Sequence, residues 1–77
     1  MEIKILGTGC PNCKTLENRV RRVITKNNID ARITKVNDII DIMSYNIMAT
    51  PALVIDEKVI VKGRVPSENE ILKLLLN

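Results

Sequence analysis

The hydrophobic pattern of this chain switches repeatedly between the period of a strand and the period of a helix. Apolar and polar residues alternate in a strand, whereas in an amphipathic helix the apolar residues recur about every three or four positions. Gly, Pro and Asn residues separate the patterned segments. By these criteria strands are predicted at residues 2–6, 29–36, 51–55 and 59–61, and helices at residues 11–28, 38–46 and 67–76.

This order of elements predicts an α/β fold, βαβαββα, in which a four-stranded mixed sheet is flanked by three helices. A helix joins the first two strands, and such a crossover between parallel strands is right-handed. Asp56, Glu57 and Lys58 separate the last two strands, which favours an antiparallel hairpin. Ser67 and Glu70 have the spacing of a capping box and predict the start of the last helix.

A chain of 77 residues is long enough for one small hydrophobic core, so residues 1–77 are predicted to form a single domain. Tyr45 is the only aromatic residue, and the core is therefore expected to consist of Ile, Val and Leu side chains. Because aromatic platforms for stacked bases are missing, the composition argues against nucleic-acid binding. We expect the protein to be a monomer.

The net charge is +3, and the first helical segment carries the cations Lys14, Arg19, Arg21, Arg22 and Lys26. These cations could bind an acidic partner or form a solvated helix face, and Glu17 in their midst favours the solvated face. The N-terminus enters a strand pattern directly, without an apolar run long enough to cross a bilayer. We therefore expect a cytoplasmic protein with no membrane partner.

Cys10 and Cys13, the only cysteines, form a C-x-x-C pair between the first strand and the first helix. A structural disulfide over so short a ring would stabilise the fold by only about 2 kcal/mol, because it restricts the unfolded chain little. Reversible oxidation and binding of a metal ion are two other uses of the pair, and unused cysteines are a further alternative. A C-x-x-C near a βαβ pattern in a cytosolic protein favours reversible oxidation.

The position of each cysteine predicts its part in thiol–disulfide exchange. Cys10 precedes Pro11 at the predicted helix start, where unpaired N–H groups and the helix dipole stabilise an anion by about 0.3–1 kcal/mol. The N–H groups of Asn12 or Cys13 and the charge of Lys14 are expected to add to this effect. Cys13 lies on the apolar stripe of the helix and should be the more buried sulfur. We therefore expect Cys10 to attack a substrate disulfide and Cys13 to resolve the mixed disulfide.

The order of elements, the C-P-N-C sequence of residues 10–13 and Thr50-Pro51 ahead of the hairpin together resemble the thioredoxin fold. The chain resembles in particular the short single-domain thioredoxin-like redox proteins of archaea and bacteria. The resemblance implies thiol–disulfide oxidoreductase activity that needs no cofactor beyond the reversible disulfide. It also implies a disulfide-bearing protein or small-molecule substrate, and a reductase or thiol donor, as partners.

The same resemblance assigns expected parts to residues distant from the cysteines. Pro51 is expected to follow a cis peptide bond and to lie beside the C-x-x-C, and the backbone of Thr50 is expected to pair with substrate. Thioredoxins carry a buried acid ahead of the first cysteine, at a position where this chain has Lys4 by simple offset. The segment around Gly63 lacks the Gly-Gly-Asp type of sequence with which glutaredoxins hold glutathione, which argues against glutathione as the donor.

Two other functions use the same pair of cysteines. Small copper chaperones place G-x-x-C-x-x-C after a first strand, and residues 7–13 imitate that motif. Two thiolates suit Cu(I), so a soft-metal binding or carrier module is the main alternative function. Those domains run βαββαβ and end on a strand, whereas this chain is predicted to end on a helix. A regulatory or docking module that keeps the fold without turnover is the third hypothesis.

Overall fold

The computed structural model describes residues 1–47 and 49–76. Its elements follow the predicted order and confirm the α/β fold class, whereas the predicted domain boundary at Asn77 lies outside the described residues. The elements are β1 (Glu2–Leu6), α1 (Pro11–Lys26), β2 (Arg32–Val36), α2 (Ile39–Met43), β3 (Ala52–Ile55), β4 (Lys58–Lys62) and α3 (Glu68–Leu76).

The four strands form one mixed sheet in the order β2-β1-β3-β4. Strand β1 is parallel to β2 and antiparallel to β3, and β4 is antiparallel to β3. Leu6, the last residue of β1, pairs with Val36 on one side and with Ala52 on the other. The residues that follow Leu6 therefore leave the middle of the sheet, between the end of β2 and the start of β3.

The apolar side chains of β1 divide between the two faces of the sheet. Ile3 and Ile5 belong to a core cluster with Leu16 of α1 and Ile71 of α3. Leu6 belongs to a second cluster that includes residues of α2, β3 and the segment after α2: Ile42, Ile47, Ala52 and Val54. Helices α1 and α3 thus cover one face and α2 covers the other, as the alternation of side chains along a strand requires.

Helix α1 ends before residue 28 because the chain turns into a left-handed conformation there. Asn28 has φ +53°, and the N–H of Ile29 donates to the carbonyl of Ile24 at 3.0 Å, a Schellman arrangement. Residues 29–31 then run from the helix to the sheet, so β2 begins at Arg32 instead of residue 29. The N–H of Arg32 donates to the carbonyl of Met1 at 2.9 Å.

The shorter elements also differ at their ends from the prediction. Asp38 caps α2 by accepting the N–H of Ile40 at 2.9 Å, and α2 ends at Met43 instead of residue 46. The β3–β4 hairpin has a two-residue turn, because Asp56 and Glu57 have φ +48° and +69° and β4 already begins at residue 58. Positive φ at both central residues is typical of the type I′ hairpin turn.

The capping box predicted for α3 is only half present. The N–H of Glu70 donates to Ser67 Oγ at 3.2 Å, as expected. The Glu70 carboxylate, however, does not reach back to the cap; both of its oxygens bind the guanidinium of Arg64. A bidentate ion pair is the stronger partner for a carboxylate, which explains the difference.

No helix in the described part of the chain has both the length and the apolar character needed to cross a bilayer.

Candidate active site

The two cysteines lie where the chain leaves β1 and enters α1. Cys10 is the N-cap of α1 and has an extended backbone, with φ -67° and ψ 161°. Pro11 is the first helical residue, a position where its missing N–H costs no hydrogen bond. The first helical hydrogen bond runs from the N–H of Lys14 to the carbonyl of Cys10 at 3.1 Å. The start of α1 therefore falls within the C-x-x-C.

The sulfur atoms of Cys10 and Cys13 are joined as a disulfide, with the two Cα atoms 5.1 Å apart. The N–H of Cys13 donates to Cys10 Sγ at 3.2 Å, so a helix N–H faces the leading sulfur. Cys13 is 6% exposed, whereas Cys10 is half-buried. The two residues thus differ in the way that their helix positions predict, with the leading residue more accessible and the following one enclosed.

The other predicted residues of the first helical turn are on the surface. Pro11, Asn12 and Lys14 are all exposed. Lys14 also borders a small cavity that Cys13 lines. No polar contact of the Asn12 side chain is present among the described residues, so proximity in sequence is what connects it to the site.

Gly7 leaves room for the enclosed sulfur because it has no side chain. The sequence did not reveal this contact. A Cβ on this buried glycine would overlap Cys13 Sγ and would lie 3.0 Å from the Cβ of Cys13. The N–H of Gly7 donates to the carbonyl of Val36 at 2.9 Å, so the backbone of the loop is fixed to the end of β2. In the sequence, Gly7 is only the first residue of the G-x-x-C-x-x-C segment; its packing on Cys13 depends on the fold.

The Thr50-Pro51 peptide bond is cis, as the resemblance implied. Pro51 is buried and Thr50 is exposed. Leu6 pairs with Ala52, and these two residues are directly followed by Gly7 and directly preceded by Pro51, respectively. The N–H of Gly63 donates to the carbonyl of Pro51 at 2.9 Å and ties this segment to the end of β4. The sheet register therefore places the cis-proline segment and the loop that leads to the C-x-x-C at the same end of strands β1 and β3.

The cavity beside Cys13 has a volume of about 80 Å³ and contains an acidic side chain that sequence reasoning missed. Glu17 of α1 and Lys35 of β2 both line it, with Glu17 Oε1 at 3.7 Å from Lys35 Nζ. Arg21 Nε donates to Glu17 Oε2 at 2.9 Å. The sequence signal was the spacing of Cys13 and Glu17, because residues four apart on a helix are neighbours on its surface.

Lys4, which takes the place of the family's acid by offset, lies on the opposite face of the sheet. Its Nζ donates to Tyr45 Oη at 2.8 Å and to a carboxylate oxygen of Glu57. The bond to Glu57, followed by the bond to Tyr45, raises the pKa of Lys4, and the bond from Lys4 lowers the pKa of Glu57. These contacts belong to the α2 side, away from Cys13 and Gly7. Strand β1 therefore supplies no acid to the enclosed sulfur.

An apolar groove adjoins the loop that carries Cys10. It has a volume of about 330 Å³, and its lining consists of Thr8, Ile39, Ile42, Met43, Ile47 and Thr50. Large apolar side chains of α2 are unusually exposed: Ile39 is 62%, Ile40 74% and Met43 64% accessible. Such contiguous exposed apolar surface is typical of a binding site.

The arrangement of elements distinguishes the redox function from the metal-carrier alternative. The chain ends on helix α3, and a helix separates β2 from β3, in contrast to the βαββαβ order of the copper chaperones. Within residues 1–47 and 49–76, no group of three or more His, Cys, Asp or Glu residues could hold a metal ion. The observed fold therefore does not favour the carrier.

A family model described as a thioredoxin domain matches residues 1–76. The chain therefore belongs to the thioredoxin family. It is 39% identical over 75 residues to a thioredoxin of Methanothermobacter thermautotrophicus, and the match covers 97% of both chains. It is also 36% identical over 69 residues to a thioredoxin of Methanocaldococcus jannaschii, covering 90% of this chain and 79% of the relative.

A solved structure shows the same fold. The crystal structure of a mutant of the thioredoxin-like protein BC3987 matches with a TM-score of 0.53 and 26% identity, covering 97% of this chain and 99% of that chain. The family membership and the disulfide-bonded C-x-x-C together identify the protein as a thiol–disulfide oxidoreductase. This agrees with the activity expected from the sequence.

Proposed function

We propose that Cys10 is the attacking sulfur and Cys13 the resolving sulfur in exchange with disulfides of partner proteins. The observation that carries this assignment is the difference between the two sulfurs. Cys10 is half-buried at the helix start and accepts the N–H of Cys13, whereas Cys13 is 6% exposed. A thiolate is the nucleophile in such exchange, and an N–H at a helix start favours it.

The reaction has two exchange steps. The thiolate of Cys10 attacks a substrate disulfide, which forms a mixed disulfide and releases one substrate thiolate. Cys13 then attacks Cys10 Sγ, forms the intramolecular disulfide and releases the second substrate thiol. A partner must return this disulfide to the dithiol form, and family membership implies a reductase in general. No cofactor other than the reversible disulfide takes part in this scheme.

The apolar groove supports a protein as the substrate. Its walls include Thr8, two residues before Cys10, and Thr50, whose backbone is proposed to pair with the substrate chain. An extended segment lying across Thr50 would place an apolar side chain against Ile39 and Met43 while its disulfide faces Cys10. Burial of one aliphatic side chain contributes about 1.5–3 kcal/mol, which is enough to select among disulfides.

We also propose that the protein acts in the reducing environment of the cytoplasm, as a monomer, and with a donor other than glutathione. The dithiol form needed for attack is maintained in such a compartment. The sequence around Gly63, which binds the cis-proline segment, does not have the glutathione-holding pattern of glutaredoxins.

Trapping of the mixed disulfide tests the assignment of the two cysteines. The reduced C13S variant, incubated with insulin, should accumulate a covalent adduct on Cys10, because no resolving thiol is present. The reduced C10S variant should form far less adduct, since its remaining thiol is enclosed. Mass spectrometry under non-reducing conditions measures both. Adduct formation that is equal in the two variants, or greater in C10S, would contradict the assignment.

A further inference from the structure

The resolving step requires that a buried thiol lose its proton. Cys13 is 6% exposed, so bulk solvent has little access to its thiol proton. Lys4, on the strand where the family has its acid, lies on the other face of the sheet and binds Tyr45 and Glu57. A proton acceptor for Cys13 must therefore come from another element.

Glu17 is placed to be that acceptor. It lies one helical turn after Cys13 on α1, and both residues line the cavity of about 80 Å³. A volume of this size has room for about two water molecules. The side chain of Glu17 is 17% exposed, so the carboxylate is near the cavity but still in contact with solvent. A proton can pass between groups that share one bridging water.

Two cations contact the Glu17 carboxylate and fix its orientation. Arg21 Nε donates to Oε2 at 2.9 Å, and Lys35 Nζ lies 3.7 Å from Oε1. Lys14 borders the same cavity. Because Arg21 holds one oxygen, the other oxygen remains for a water on the side of Lys35. The carboxylate is thus both oriented and able to accept a proton.

We propose that Glu17 accepts the proton of the Cys13 thiol, through water in this cavity, during resolution of the mixed disulfide. The S–H bond of Cys13 breaks and the proton moves through the water to Glu17. The Cys13 sulfur forms a bond to Cys10 Sγ while the bond from Cys10 Sγ to the substrate sulfur breaks. The substrate thiolate leaves with the electron pair and is protonated by solvent, and Glu17 returns its proton to solvent.

This inference rests on the proposed order of attack, and a two-phase reaction tests the two separately. The reduced protein is mixed with excess dithiobis(nitrobenzoate), and the absorbance of the released nitrothiobenzoate is followed by stopped flow. The first phase, attack by Cys10, depends on reagent concentration. The second phase, attack by Cys13 on Cys10 Sγ, does not. If the reduced C10S variant reacts with the reagent as fast as the reduced C13S variant does, the order of attack is wrong, whatever Glu17 does.

Glu17→Gln should slow the second phase at least about 10-fold near pH 7, since a general base commonly contributes 100-fold or more. The difference from wild type should shrink as the pH approaches about 10, where hydroxide removes the thiol proton without the carboxylate. The first phase should change less than about twofold, because Cys10 does not depend on the acceptor.

Glu68→Gln is the matched control, because Glu68 also binds an arginine of α1, Arg22, at 2.8 Å. This variant has the same change in net charge and loses a similar ion pair, but Glu68 does not line the cavity. Its second phase should equal that of wild type. The proposal is overturned if Glu17→Gln leaves the second phase unchanged, if Glu68→Gln slows it equally, or if the Glu17→Gln defect is the same near pH 7 and pH 10.

Discussion

Replacement of Gly7 by alanine tests whether the packing of the resolving sulfur requires a residue without a side chain at this position. The added Cβ would overlap Cys13 Sγ, and the N–H of Gly7 itself donates to the carbonyl of Val36 at 2.9 Å, which restricts movement of the backbone away from the sulfur. Forcing an extra methyl group into such a packed site commonly costs about 1–3 kcal/mol in the free energy of unfolding. At a urea dependence of about 1 kcal/mol per M for a small protein, the unfolding midpoint should fall by about 1–3 M.

A double-mutant cycle separates the cost of the clash with the sulfur from the other effects of Gly7→Ala. Gly7→Ala is introduced into the oxidised protein and into a variant with alanine at both cysteines, Cys10→Ala and Cys13→Ala. The second background lacks Sγ, so most of the cost of Gly7→Ala should disappear there. The coupling free energy, measured by urea unfolding, should therefore be about 1 kcal/mol or more, as for residues in direct contact.

Gly9→Ala is the control for the effect of removing any glycine from this loop. Gly9 has φ +91°, and among the described residues no heavy atom beyond its chain neighbours lies within 4 Å of a Cβ placed there. Its replacement should cost about 1–2 kcal/mol of backbone strain, and that cost should be the same with or without the cysteine sulfurs. If Gly7→Ala also costs the same in both backgrounds, the close approach of Gly7 to Cys13 does not determine the choice of glycine.

Three further predictions concern the groove, the last helix and an ion pair. Met43→Ser should raise the KM for a protein disulfide by up to about 10-fold in steady-state assays and leave a small disulfide substrate unaffected, because Met43 lines the groove and is 64% accessible. An unchanged KM for the protein disulfide would contradict docking in the groove. Ser67→Ala should lower the free energy of unfolding by about 1 kcal/mol in urea titrations, because the N–H of Glu70 loses its acceptor. Glu57→Gln should reduce the loss of stability on acidification. The bond from Lys4 lowers the pKa of Glu57, so the ion pair adds to the free energy of unfolding above the ordinary pKa of a glutamate. This addition is lost as the pH falls through the lowered value. Thermal unfolding of wild type and Glu57→Gln between about pH 6 and pH 3 measures this, and parallel curves would contradict it.

The order of elements could be predicted because local periodicity and burial agree in this chain. Leu16, Val20 and Val23 recur at helical spacing, and all three are buried on the face of α1 that packs on the sheet. The ends of elements were less accurate because they depend on backbone conformations that several residues could adopt. Asn28 takes a left-handed conformation and ends α1, and Asn46 does the same after α2.

The candidate site was predictable where its residues are close in sequence. Placing Cys10 ahead of a helix was enough to expect an N–H facing its sulfur, and the N–H of Cys13 provides it. The contact of Glu17 with Lys35 could not be predicted, because it joins α1 to a strand whose register the sequence does not give. The cis bond before Pro51 came only from family resemblance, since few X-Pro bonds in folded proteins are cis.

The sheet separates the two tasks that the proposed reaction requires. The apolar groove lies on the α2 face, where Ile42 packs with Leu6, whereas Cys13 and Glu17 line a cavity on the α1 face with Ile5. Substrate docking and proton transfer from the resolving thiol therefore use side chains that do not touch each other across the sheet. Changes at sites without shared partners usually have independent effects. It follows that the groove can vary with the substrate while the surroundings of Cys13 are kept, because the groove and the cavity lie on opposite faces of the sheet.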